Sequence, residues 1–68
     1  ESKKITVNAG ERMTLHLNAG TEVRSEGPGR EHSNGQTQQW PPGSTIRSDQ
    51  PTTTTFESDR PLTLEVRQ

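Results

Sequence analysis

Residues 43–66 read GSTIRSDQPTTTTFESDRPLTLEV, and their patterning decides the fold class. Leu62, Leu64 and Val66 alternate with Thr63, Glu65 and Arg67. That period of two is the mark of a strand with one buried and one solvated face. Thr52 to Glu57 is rich in β-branched residues and ends in Phe56, a strand by propensity. Asp49-Gln50-Pro51 and Ser58-Asp59-Arg60-Pro61 supply turn chemistry on either side of it. A short strand at 44–48 puts Ile46 inside.

The same alternation of strands and turns covers most of the chain before Gly43. Ile5 and Val7 alternate with Lys4, Thr6 and Asn8, and Met13, Leu15 and Leu17 alternate with Arg12, Thr14, His16 and Asn18. With Asn8-Ala9-Gly10-Glu11 between them, the two strands are expected to pair as an antiparallel hairpin. Asn18-Ala19-Gly20 repeats the first turn after ten residues, within the spacing of all-β folds. A strand at 21–25 then carries Val23 inward. No segment has a 3.6-residue apolar period with caps, so no significant helix is expected. The fold class is all-β: a small sandwich or open barrel of six to seven short antiparallel strands, forming a single domain over residues 1–68.

Two features stand apart from this alternation. Residues 26–39, EGPGREHSNGQTQQ, hold no large apolar side chain. Asn34-Gly35 fits a type I′ hairpin turn, but neither arm has an apolar face, so a polar loop is favoured over a hairpin. Gly20 to Pro28, GTEVRSEGP, parallels Gly43 to Pro51, GSTIRSDQP: a glycine, a hydroxyl residue, a β-branched apolar residue, Arg-Ser, an acid and a proline fall in the same places. Either these are two similar turn units in one sheet, or they are a duplicated element related by a pseudo-two-fold. The second reading puts Val23 and Ile46 in equivalent core positions, with Arg24 and Arg47 on equivalent outer ones.

Composition limits the function classes. Only 21% of the 68 residues are hydrophobic, so the core is thin for a small domain. With no cysteine, disulfides cannot compensate, and without a Cys/His cluster neither can a structural zinc. Association with copies of itself or with a larger assembly is the expected remedy. The net charge is −1 and the acids and bases are interspersed, which argues against nucleic acid and against a polybasic membrane contact. No apolar run approaches the length of a membrane span. Edge strands need blunting in such a sheet, and Pro28, Pro51 and Pro61 are placed to do it. The Thr52–Thr55 run reads as an edge strand.

The candidate site residues are few. Trp40 is followed by two prolines, so it does not lead into a central strand. It has three readings: a cap on the core, an anchor between subunits, or a platform for a sugar ring or a proline-rich peptide. His32, Asn34 and Gln38 would supply hydrogen bonds to a glycan in the last case, and Arg24 and Arg47 are contact candidates in the second. His16 and His32 are the only histidines and read as surface residues, with no metal and no cofactor expected. Ser, His and Asp are all present, but no nucleophile-elbow motif is, and no enzyme activity is expected.

Residues 42–64 resemble β-modules of phage tail and baseplate structural proteins. The matching residues are Pro42-Gly43-Ser44, Ile46, Thr55-Phe56-Glu57-Ser58, Asp59 and Leu62-Thr63-Leu64. The resemblance implies a structural β-module of a virion or injection machine and transfers no functional residue. The expected function is a structural subunit that oligomerises or docks in a larger assembly; the alternative is a small carbohydrate- or peptide-binding module using Trp40 and residues 26–39.

Overall fold

Two kinds of turn occur along the chain, and they decide how its strands are joined. At Asn34 and Gly35 both φ angles are positive, 51° and 73°. That is the type I′ turn, whose twist matches that of two paired strands, so the chain folds straight back on itself. Elsewhere the turns differ. In Asn8-Ala9-Gly10-Glu11, Asn18-Ala19-Gly20-Thr21 and Pro41-Pro42-Gly43-Ser44 the fourth N–H donates to the first carbonyl, at 3.1 Å in each. A glycine with φ between 75° and 85° sits third. This is the type II pattern, which splays the strands it joins. The chain therefore rounds a corner there instead of reversing.

The computed structural model describes residues 1–68. Its strands are β1 (Ser2–Val7), β2 (Arg12–Leu17), β3 (Glu22–Ser25), β4 (Gly29–Ser33), β5 (Gln36–Trp40), β6 (Thr45–Arg47), β7 (Thr52–Glu57) and β8 (Leu62–Arg67). They form two four-stranded antiparallel sheets, ordered β1-β8-β3-β6 and β2-β7-β4-β5. Four of the pairings share one register. Ser2 lies opposite Arg67, Arg12 opposite Glu57, Glu22 opposite Arg47 and Gly29 opposite Trp40, so partner numbers always add to 69. The whole chain is one long hairpin with its tip at Asn34-Gly35. This two-stranded ribbon passes alternately through the two sheets, and each sheet is completed where successive passes meet, β8 beside β3 and β7 beside β4.

The corners are built from complementary halves. One arm supplies the turn that ends in Gly10, Gly20 or Gly43. The other supplies Ser58-Asp59-Arg60-Pro61, Ser48-Asp49-Gln50-Pro51 or Ser25-Glu26-Gly27-Pro28. At each corner the glycine N–H donates across the ribbon to the serine carbonyl: Gly10 to Ser58 at 2.9 Å, Gly20 to Ser48 at 2.8 Å and Gly43 to Ser25 at 2.8 Å. Ser48 and Ser58 also turn their own arms, each Oγ accepting the N–H two residues on.

Several expectations change. β1 and β2 do not form a hairpin: the type II turn sends them to different sheets. Residues 26–39 are a hairpin, not a loop, and bring the strand count to eight. The Thr-rich β7 is not an edge strand, for β2 and β4 flank it. The edges are β1, β6, β2 and β5, and Pro28, Pro51 and Pro61 stand at corners rather than on them. Trp40 does end on an edge strand, and Pro41 and Pro42 stop that strand without breaking a ladder.

The core lies between the sheets. Val7, Val23, Leu62, Leu64 and Val66 come from the first sheet, and Leu17, Trp40 and Phe56 from the second. Trp40 and Phe56 meet edge to face, with centroids 4.9 Å apart at 75°. Gly29, opposite Trp40, is a close approach: a Cβ there would stand 2.8 Å from Leu62 Cδ2 and 3.1 Å from the Glu57 carbonyl oxygen.

The matching segments 20–28 and 43–51 form a local two-fold. β3 and β6 pair with each other and Val23 faces Ile46. Exchanging the two segments maps the Gly20–Ser48 hydrogen bond onto Gly43–Ser25, each 2.8 Å. The equivalence stops at burial, since Val23 is inside the sheet and Ile46 is on its edge. It makes a prediction. Gly20 and Gly43 have φ of 84° and 85°, and a Cβ at either meets nothing within 4 Å. Gly20→Ala and Gly43→Ala should therefore each cost only the left-handed backbone penalty, about 1–2 kcal/mol. Urea denaturation should return equal losses for the two; a difference above about 1 kcal/mol would break the equivalence.

Candidate functional site

Polar chemistry concentrates on the second sheet, where β2, β7, β4 and β5 lie side by side. Alternation sends Arg12, Thr14 and His16, then Glu57, Thr55 and Thr53, then Arg30 and His32, and Thr37 to the outer face. Register sets them in rows: Arg12–Glu57–Arg30, and Thr14–Thr55–His32–Thr37. Glu57 is the hub. Its carboxylate lies 2.7 Å from His32 Nε2, 3.4 Å from Arg30 Nε and 3.5 Å from Arg12 Nε. The hydrogen bond to His32 is the largest influence holding its carboxyl below the usual glutamate range. Burial opposes it, and the two guanidinium groups reinforce it. Arg30 reaches on to Asp59 at 3.1 Å. Thr14 and Thr55 share a hydrogen bond at 2.9 Å, and His16 Nδ1 meets Thr53 Oγ1 at 3.1 Å.

The inner face of the same sheet holds a buried charge. Glu31 on β4 is 1% exposed, flanked in register by Phe56 and Gln38. Burial pushes its carboxyl up. Hydrogen bonds from Thr54 and Gln38, with a smaller one from Ser33, outweigh that and leave it below the usual range. Thr54 Oγ1 donates to one carboxylate oxygen, and Gln38 Nε2 donates to the other at 2.9 Å. No buried side-chain nitrogen or oxygen lacks a partner. A strand with polar residues on both faces is stable because each buried polar group is paired. That is why β4 and β5 form without an apolar face.

The sequence candidates fall in different places. Trp40 is 5% exposed and its ring packs on Phe56, the core-cap reading. A sugar platform or subunit anchor needs an accessible ring, so those two readings of Trp40 lose their footing. Asn34 forms the tip turn and Gln38 serves Glu31. Arg24 and Arg47 are both exposed on the outer face of the first sheet, on the neighbouring strands β3 and β6. His32 alone joins a cluster. Sequence reasoning missed Glu31, Thr54 and Glu57. An acid in a run without apolar residues reads as solvated until its neighbours across the sheet are known.

His32 also completes a chain of three groups. Its Nδ1 lies 2.6 Å from Thr37 Oγ1 and its Nε2 2.7 Å from Glu57 Oε1. Hydroxyl, imidazole and carboxylate in that order have the form of a nucleophile relay. The surroundings are those of a surface ladder. Glu57 is already shared by two arginines, and no apolar residue lines the shallow hollow beside His32 and Thr37. No group of three or more His, Cys, Asp or Glu converges as metal ligands.

No protein-family model matches this chain, and no curated protein does. Among solved structures it is similar to a de novo designed double-stranded β-helix determined by solution NMR. The identity is 28%, the match covers 98% of this chain and 96% of that one, and the TM-score is 0.73. A ribbon in constant register, wound alternately through two four-stranded sheets, is that same architecture: the chain folds as a double-stranded β-helix.

Proposed function

We propose that this chain is a structural module whose role is to specify and hold its shape, with no catalytic task. The observation that carries the reading is consistency between levels. Turn type, corner pairing, register, core and polar satisfaction all point to one ribbon, whereas catalytic and switching sites generally break one of these rules. The three corners use one hydrogen-bond scheme, and every buried polar side chain is partnered. The structural role implied by the likeness to phage tail and baseplate modules is kept in this general form.

What supports a free-standing module over an oligomeric subunit is the surface. No large hydrophobic residue is exposed, so association has no broad apolar face to bury. Sedimentation and thermal melts over a hundredfold concentration range test this. The expected result is a monomer mass with a constant midpoint. A midpoint that climbs with concentration, or a mass of two or more chains, would replace the proposal with the oligomeric subunit.

A further inference from the structure

β1 and β2 are the edges of different sheets, lie on the same side of the sandwich and share no ladder. Between them runs a cleft of about 540 Å³. Its floor is Ile5, Met13, Leu15, Leu17 and Val66. Ile5, Met13 and Leu15 are only half-buried, because the core covers them from one side alone. The volume falls in the range of small-molecule sites, where a few placed polar groups orient the ligand, and here polar residues of both strands rim the apolar floor. Met13 adds an unbranched, polarizable side chain that adapts to irregular shapes.

The placed polar group is Lys3. It sits directly opposite Val66 in the ladder, so its side chain leaves β1 on the inner face, toward the cleft. It has no carboxylate within 4.0 Å, unlike Lys4, whose ammonium pairs with Glu26 at 3.0 Å from the other face of the strand. An inward lysine on an edge strand discourages sheet-to-sheet pairing. Here it also sets an unneutralised ammonium at the lip of an apolar trough. Glu1 is the one acidic residue of the lining, and His16, which also borders it, stands on the outer face of β2 with its Nδ1 on Thr53.

We propose that this cleft binds a small amphipathic monoanion, with an apolar body on Ile5, Met13 and Leu15 and a carboxylate or sulfonate at Lys3. Aliphatic stems cover the trough while the ammonium meets the anion at the water boundary. The site is separate from the Glu57 network and goes beyond the structural role proposed above.

Met13 is the only methionine, so its ¹³C-labelled methyl is a single reporter inside the cleft. Decanoate, titrated below its micelle concentration, should move that methyl resonance saturably. Decanol should bind several-fold more weakly. Lys3→Glu should weaken decanoate by about tenfold, equivalent to about 1.4 kcal/mol. Leu15→Trp, which fills the trough, should abolish the shift while the far-ultraviolet spectrum stays that of the parent. An unmoved Met13 methyl overturns the proposal. So does a decanoate affinity matched by decanol and indifferent to Lys3→Glu. A dimer in the sedimentation experiment, by contrast, would bear on the structural role and leave this titration to be read separately.

Discussion

Phe56→Ala is expected to leave the chain unfolded or nearly so at 25 °C. Phe56 is fully buried, and its sheet neighbours in register are Met13 on one side and Glu31 on the other. It is also the ring against which Trp40 packs edge to face. Deleting a buried phenyl costs about 3–5 kcal/mol, and losing an aromatic pair adds about 0.5–1.5. A domain of this size has a total stability of roughly 0.05–0.15 kcal/mol per residue, so on the order of 3–10 kcal/mol. The core holds eight side chains, and no other aromatic residue can move in. Urea denaturation followed by Trp40 fluorescence should show the folded baseline shortened or lost. Phe56→Leu should restore most of it. A cooperative transition in Phe56→Ala within about 1 kcal/mol of the parent would mean that the two sheets do not depend on this contact.

Thr54→Val should have the second largest effect, and one that depends on pH. Thr54 is 1% exposed and donates its hydroxyl hydrogen to the buried Glu31 carboxylate. Valine keeps the shape and removes the donor. A hydrogen bond to a charged group is worth about 1.5–3 kcal/mol, and the carboxylate left behind stays buried. In the parent, Glu31 and Glu57 both titrate below the usual glutamate range. The stability they contribute is fully present above the unfolded glutamate value of about 4.3, and it is lost as pH falls through their lower folded values. In Thr54→Val the Glu31 carboxyl moves back up, so less stability is left to lose on acidification. The penalty should be full at pH 7 and shrink toward pH 3. Paired urea curves at those two pH values would show it, and a penalty independent of pH would mean that the Thr54 hydroxyl does not stabilise the charged form.

Strand content was legible in the sequence because alternation is a local signal. Leu62-Thr63-Leu64-Glu65-Val66 and Arg12-Met13-Thr14-Leu15-His16-Leu17 declare their faces without help from neighbours. Connectivity was less legible, for a specific reason. Asn8-Ala9-Gly10-Glu11 looks like hairpin chemistry, but only Asn34-Gly35 has two adjacent residues suited to positive φ. The three Ser-acid-x-Pro segments carried a further signal, since each is the far half of a corner whose near half ends in glycine. Polar residues in 26–39 hid a hairpin because Glu31 owes its place to Thr54, more than twenty residues away. The Glu57 hub was hidden in the same way, as Arg12 and His32 reach it only from the strands on either side of β7.

The single register of the wound ribbon joins both sheets and all three corners. It can be read directly from cross-strand nuclear Overhauser contacts in a labelled sample. Backbone contacts are expected between Ile5 and Leu64, Met13 and Phe56, Val23 and Ile46, and Glu31 and Gln38, together with Val23 and Val66 where two passes of the ribbon meet. A ladder joining β1 to β2, with Val7 opposite Arg12, would contradict it.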